Sequence, residues 1–321
     1  NTFFRARHCA HHHQSDTWDK LGFAIHVTLA SVNKAWREQK ANHVVFCLEG
    51  RSWRKDHYTP YKKNRAVARA ALNEKELEED RLFWEAFDSL KTFLQERTNC
   101  TVLRHENLEA DDLIAGWIQA HPNDEHVIVS SDSDFHQLLA SNVVQYNGVA
   151  DELYTLSGIF DKKGKLIIDK KTKEPKKVPD PGFILFEKCM RGDPTDNIFS
   201  AYPGVRVKGS KNKVGLIEAY ADKDKKGFNW NNLMLQRWTD HNQVEHKVLD
   251  DYNRNRTLID LTAQPEPIRQ LIDTTVQAAQ PQNRPMVGAQ FLKFCGRYEL
   301  ARLSENATLW GQILSAGLEA Q

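Results

Sequence analysis

From residue 16 to residue 142 the apolar residues switch repeatedly between a helical period and short unbroken runs, and this alternation restricts the fold more than any other property of the chain. Trp18, Leu21, Ile25, Leu29, Val32 and Trp36 recur three or four residues apart behind a capping Ser15 or Asp16, which predicts a helix over 16–40. His43 to Leu48 is a mostly apolar run closed by Glu49 and Gly50, the pattern of a buried strand. The cycle repeats with a helix over 73–96, carrying Leu77, Trp84, Phe87, Leu90 and Leu94 on one face, and a strand at 101–104. A third helix over 110–120 precedes the strand Val127-Ile128-Val129, and a short helix begins near Asp134. Helices that alternate with buried strands cover both faces of a sheet, so the expected fold is an α/β domain with a mainly parallel central sheet.

Past Asn142 the pattern shortens to strands at 143–146 and 152–156 and a hairpin through 165–177. From Pro181 the chain reads as almost wholly helical, with segments near 181–191, 215–221, 228–239, 242–255 and 287–316. A domain change is therefore expected near residue 180, separating 1–180 from 181–321. With 27% charged residues and no apolar run near the ~20 residues of a membrane span, a membrane protein is not expected. The five cysteines, at 9, 47, 100, 189 and 295, fall singly and read as reduced thiols of a cytoplasmic protein, the host cytoplasm if the chain is phage-encoded.

The net charge of +1 conceals strong segregation. Glu109-Ala110-Asp111-Asp112 packs three acids into the first turn of a helix, more negative charge than one helix N-terminus offsets at ~0.3–1 kcal/mol per acid. Asp132-Ser133-Asp134 sits at the carboxyl end of a buried strand, where ligands bind in open α/β sheets, and Glu49 closes a strand at the same edge. Gly192-Asp193-Pro194-Thr195-Asp196-Asn197 holds two further carboxylates around a turn. Oxygen ligands with no accompanying Cys or His pattern suit Mg2+ or Mn2+. Two such ions, ~4 Å apart, activate a water and stabilise the leaving oxygen of a phosphodiester displacement.

Between Arg51 and Arg65 cations are interleaved with Trp53, His57, Tyr58 and Tyr61, a composition that pairs with phosphates and stacks on unpaired bases. Here the sequence resembles a family, the 5′ nucleases that include flap endonucleases, the 5′ nuclease domain of bacterial polymerase I and phage RNase H or 5′ exonuclease, and it is most similar to the phage branch. Trp53-Arg54-Lys55 with Tyr61-Lys62-Lys63-Asn64-Arg65 resembles the arch segment, near 50–72, and Glu109-Ala110-Asp111-Asp112 and Ser131-Asp132-Ser133-Asp134-Phe135 resemble the two central acidic motifs. Gly192-Asp193-Pro194-Thr195-Asp196-Asn197 resembles the turn opening a helix-three-turn-helix module.

The resemblance implies one metal position held by Glu49, Glu109, Asp111 and Asp132, and another by Asp112, Asp134, Asp193 and Asp196. It implies Lys62 and Arg65 as catalytic residues facing the scissile phosphate, Tyr61 stacking near a displaced base, and Arg51, Arg54, Lys55, Lys63 and Lys188 contacting nucleic acid. The basic stretch 203–215, with Lys208, Lys211 and Lys213, would bind duplex backbone and hold a K+ ion. The implied partners are DNA with a 5′ end, flap or RNA primer and replication proteins such as a single-strand-binding protein, with the chain acting as a monomer. Three departures accompany the likeness: the family's first acid lies on an opening strand just before Asn1, so an upstream segment is expected; Glu49 stands where the family has Asp; and the stretch 203–215 is longer and more basic than the family's tight glycine-rich hairpin.

Rival readings are a non-catalytic nucleic-acid-binding protein on the same fold and a PIN-like ribonuclease. His11-His12-His13 reads as a solvated loop, and Trp230, Trp238 and Trp310 as core of the helical region. The lysine-rich stretch 162–177 reads as a solvated face, with a supplementary DNA contact as the alternative.

Overall fold

The computed structural model describes residues 17–202 and 214–318. Helix α1 (Thr17–Glu38) feeds strand β1 (Val45–Cys47), and two short helices, α2 (Arg54–His57) and α3 (Lys63–Ala70), lead into the long α4 (Glu74–Arg97). Asn73 caps α4 by accepting from the Glu76 amide while the Glu76 carboxylate accepts from the Asn73 amide, which fixes where the helix starts. Strand β2 (Thr101–Leu103) returns parallel to β1, pairing Val45 with Thr101 and Cys47 with Leu103. Helix α5 (Ala110–Ala120) leads to β3 (His126–Val129), a 3-10 helix (Ser133–Leu138) and β4 (Val143–Asn147), parallel to β3.

Among the described residues, parallel pairing of the expected sheet is confined to these two pairs. Among the described residues β1 and β2 form one sheet, whereas β3 and β4 continue into β5 (Glu152–Tyr154) and β6 (Ile159–Phe160), both added antiparallel. The reason is connection length: the turns at 148–151 and 155–158 are too short for the crossover a parallel strand requires. The hairpin expected at 165–177 is reduced to isolated bridges, Phe160 with Leu166 and Ile168 with Pro175.

Beyond residue 180 come α6 (Pro181–Arg191), α7 (Val214–Asp222), α8 (Phe228–Met234), β7 (Arg237–Thr239), β8 (Glu245–Lys247), α9 (Val248–Ile259) and α10 (Glu266–Gln277). Then follow α11 (Val287–Arg297), α12 (Ala301–Ser304) and α13 (Ala307–Ser315). The helices expected over 228–239 and 242–255 are interrupted by the β7–β8 hairpin, where Asp240 accepts from the amides of Asn242 and Val244 and so stabilises a turn. The single helix expected over 287–316 breaks at Glu299, whose φ of 54° is left-handed.

The cores also divide otherwise than expected. Phe186, Met190, Leu216, Met234 and Leu258 build a helical core, with Tyr61 inserted into it. The last helices instead return to the first layer: Phe291, Cys295, Trp310 and Ile313 share one core with Ile25, Leu29, Phe83 and Phe93. Ile272 and Val276 of α10 likewise pack on Leu113 and Trp117 of α5. Trp310 is thus core of the first layer, while Trp230 and Trp238 are half-buried against the helical one. Leu77, expected on the buried face of α4, is exposed. No helix among the described residues is long and apolar enough to cross a membrane.

Candidate metal centre

The carboxyl ends of β1 and β3 and the N-terminus of α5 meet at one edge of the first layer. Gly50 makes the closest approach, since a Cβ there would stand 2.1 Å from the His105 carbonyl, and its amide bonds to Leu108 O at 2.9 Å. That approach sets Glu49 beside α5, where its Oε2 accepts from the Ala110 amide at 3.0 Å. Glu109 caps α5 and is buried, accepting from Ser52 Oγ at 2.7 Å, Arg54 Nη1 at 2.5 Å, Lys62 Nζ at 2.5 Å and Tyr61 OH at 3.2 Å. Burial pushes the Glu109 carboxyl up, but Arg54 and Lys62 outweigh it and hold the group down at about 2.

Asp111, two residues on, is in the opposite condition. Burial, then the charges of Glu49 and Glu109, push its carboxyl up to about 8, with Lys62 the opposing cation and Asp132 adding to the rise. Burial and Glu109 raise Glu49 as well. Asp132, at the end of β3, turns its Oδ1 to the Asp134 amide at 3.1 Å, while Gln145 on β4 holds the Ser130 and Asp132 carbonyls at 2.8 and 2.7 Å. This edge gathers the carboxyl groups of Glu49, Glu109, Asp111 and Asp132, and burial with mutual repulsion raises Glu49 and Asp111, a condition that a bound divalent ion relieves.

The helical region supplies the opposite wall. Gly192, at φ 73°, lets the chain leave α6 and double back, so that Asp193 and Ile198 exchange backbone bonds of 2.9 and 2.8 Å. One carboxylate oxygen from each of Asp134, Asp193 and Asp196 lies within 4.8 Å of the others. Lys188 on α6 pairs with Asp134 and, at 2.9 Å, with Asp193 Oδ2. Burial raises the Asp134 carboxyl, whereas at Asp193 the pairing with Lys188 and bonds from the Thr195 and Asp196 amides outweigh burial and lower it. An all-oxygen donor set of this kind fits a hard cation such as Mg2+ or Mn2+.

Several of the expected side chains are placed otherwise. Asp112 is fully buried: Arg54 grips it through two bonds, and it also accepts from Trp53 Nε1 at 3.1 Å, Gln264 Nε2 at 3.2 Å and the Glu109 amide at 3.2 Å. It is an ion-pair partner in the core, apart from the group formed by Asp134, Asp193 and Asp196. Arg54, 2% exposed and bonded also to the Leu258 carbonyl, is closed to nucleic acid, and Tyr61, 4% exposed, cannot stack on a base. Lys62 stands between Glu109 and Asp196, 3.9 Å from Asp196 Oδ2, with a left-handed φ of 52° held by its amide bond to Asp196 O. Arg65 reaches Asp196 Oδ1 at 2.5 Å from an exposed position. Arg51, paired with Asp56, is exposed, as are Lys55 and Lys63. Lys208, Lys211, Lys213 and His11-His12-His13 lie outside the described residues.

Sequence reasoning missed Ser52, Gln145 and Gln264. Ser52 adjoins the basic stretch, and that adjacency was the signal for its bond to Glu109; nothing in the sequence links Gln264 to Asp112, 152 residues away.

Residues 1–164 match the family described as 5'-3' exonuclease, N-terminal resolvase-like domain. Among curated relatives, DNA polymerase I of Rhizobium leguminosarum is 29% identical over 255 residues, covering 78% of this chain and 21% of the polymerase. The 5'-3' exonuclease of Aquifex aeolicus is 26% identical over 189 residues, covering 58% of this chain and 55% of that protein. The chain thus spans about a fifth of the polymerase (21%) and about half of the exonuclease (55%). Among solved structures, T5 5'-exonuclease with bound divalent zinc superposes with a TM-score of 0.56 at 17% identity, over 86% of this chain and 95% of that one. The T5 D15 protein co-crystallised with metal ions gives a TM-score of 0.52 at 17% identity, over 90% and 95%. At that identity the likeness concerns the mixed α/β fold.

Proposed function

Because this chain belongs to the 5'-3' exonuclease family, we propose that it hydrolyses phosphodiester bonds of DNA at 5′ ends or flap junctions with carboxylate-held divalent ions. The observation that carries the reading is the meeting of two sets of acids, Glu49, Glu109, Asp111 and Asp132 from one layer and Asp134, Asp193 and Asp196 around the opposite wall, with Lys62, Arg65 and Lys188 at their border. The first set would hold one Mg2+ or Mn2+ ion and the second set another; bound there, the ions supply an activated water and stabilise the leaving oxygen.

The chain's own side chains do the rest. Lys62 and Arg65 neutralise charge on the phosphoryl oxygens, and Lys188 changes partner from carboxylate to phosphate when a substrate arrives. Arg54 keeps Glu109 ionised and oriented from within the core. The helical region 181–321 would supply a helix-three-turn-helix DNA-binding module, with the stretch 203–215 meeting duplex backbone and a K+ ion. RNA in RNA–DNA hybrids as substrate, primer removal in phage replication in the cytoplasm, a single-strand-binding protein as partner and action as a monomer complete the proposal. A division near residue 180 remains its domain boundary for the acid-bearing layer, with the last helices returning to that layer.

Cleavage of a 5′-labelled flap duplex in Mg2+ tests it, beside Asp132→Asn, Asp193→Asn and a chelator control. Cutting by the unsubstituted chain alone supports the reading. Tight binding with no cutting, indifferent to chelator, would replace it with a binding-only role.

A further inference from the structure

The stretch 161–177 carries eight lysines against three acids and contains one motif twice, Asp161-Lys162-Lys163-Gly164-Lys165 and Asp169-Lys170-Lys171-Thr172-Lys173. Both copies turn about their aspartate, with different bond spacing. Asp161 Oδ1 accepts from the Lys163 and Lys165 amides at 2.8 and 3.0 Å, and Asp169 Oδ1 accepts from the Lys171 and Thr172 amides at 2.7 and 3.0 Å. In each turn the aspartate is therefore occupied by backbone, and the lysines that follow it are exposed. The lysines that form ion pairs among the described residues are Lys34, Lys62, Lys91, Lys188 and Lys223, all outside this stretch. The segment is also tied to the sheet at Ile159 of β6, through Ile167 N to Ile159 O at 2.8 Å and Ile159 N to Lys176 O at 3.1 Å, so its charges are held in position.

Strand direction decides which turn matters. β3 and β4 run parallel, β5 runs against them and β6 against β5, so β3, β4 and β6 all point to one edge. That edge carries Asp132, and the first lysine turn leaves the end of β6 there. The second turn lies at the other end of the intervening segment 166–168. Three inter-strand spacings separate β3 from β6, roughly 14 Å. A duplex places one charge per ~1.7 Å of axis, so that span corresponds to on the order of eight phosphates.

We propose that the first turn, through Lys162, Lys163 and Lys165, is a nucleic-acid-backbone contact that extends the substrate track beyond the metal centre, while its sequence twin at 169–173 takes no part. The inference rests on the proposed function, since it assumes a nucleic-acid substrate at that centre. Each phosphate that these lysines cease to neutralise lowers the slope of log affinity against log salt by ~0.9.

The test measures affinity for a labelled 5′-flap duplex in Ca2+ over a salt series, for the unsubstituted chain, K162Q/K163Q/K165Q and K170Q/K171Q/K173Q. Both triples remove equal charge at exposed sites, and matching melting temperatures check that both fold. The expected result is affinity weakened roughly 10-fold with a shallower salt slope for the first triple, and under about 2-fold for the second. Equal weakening by both, the sign of a general field, overturns the inference, as does no change in either. Failure of the unsubstituted chain to bind flap or single-stranded nucleic acid overturns the proposed function itself.

Discussion

Arg54 and Asp112 form a two-bond ion pair inside the protein, Nη2 to Oδ1 at 2.8 Å and Nη1 to Oδ2 at 3.0 Å, with the aspartate fully buried. Breaking such a pair leaves an unpaired buried charge and costs roughly 3–5 kcal/mol. Arg54→Met should lose stability of that order in urea unfolding. Asp112→Asn should also destabilise the chain yet leave Mg2+ affinity within about 2-fold, whereas Asp193→Asn should do the reverse. A large loss of metal affinity in Asp112→Asn would return that residue to the ligand set.

Lys188 is a cation already seated among Asp134 and Asp193, so a divalent ion must compete with it. Lys188→Met should tighten Mg2+ binding about 10-fold, equivalent to ~1.4 kcal/mol, while slowing cleavage. Calorimetric titration of the DNA-free protein reads the first effect and single-turnover kinetics the second. Weaker metal binding in the variant would show that Lys188 organises the carboxylates rather than competing for them.

With its carboxyl raised from 3.8 to about 8, Asp111 in the metal-free fold keeps a proton that it releases on unfolding. Between those limits the folded state binds more protons, so this group's contribution to stability is full below pH 3.8 and declines as pH rises through 8, by up to ~1.36 kcal/mol per unit. Metal loading displaces the proton. The Mg2+ concentration giving half-maximal binding should therefore fall as pH rises from 6 to about 8, and Asp111→Asn should flatten that dependence. An unchanged pH profile in the variant would remove Asp111 from the metal linkage.

Helix α3 buries none of its side chains and is fastened mainly at its start, by Lys62, Asn64 and Arg65, and by Arg69 with Asp80. Its amides should exchange with deuterium within seconds while those of α5 stay protected, and flap DNA should slow the α3 exchange by at least about 10-fold. Protection of α3 without DNA would mean the segment is already fixed.

What the sequence disclosed was governed by how local the determinant was. The α5 boundaries followed from the acids ahead of Leu113, Ile114 and Trp117, and the acids at strand ends were recognisable because a parallel pair fixes its carboxyl edge. The inward turn of Asp112 was not legible, because three acids in one helical turn look alike until Arg54 and Gln264 arrive from elsewhere. The β7–β8 hairpin was hidden for a related reason: Trp238 is held by a stack on His246, with ring centroids 4.4 Å apart, and by the Ala201 carbonyl, neither visible as periodicity. The antiparallel strands β5 and β6 were signalled by short turns, which the expectation of a mainly parallel sheet underweighted.

The shared core of Ile25, Leu29, Phe83 and Phe93 with Phe291, Trp310 and Ile313 has a consequence for biosynthesis. At ~5–20 residues per second, the ribosome delivers α1 and α4 on the order of ten seconds or more before α11 and α13 emerge to cover them. During that interval the nascent chain exposes the apolar faces of the layer that carries the acidic edge. Newly made protein should therefore be a chaperone client until its last helices are released.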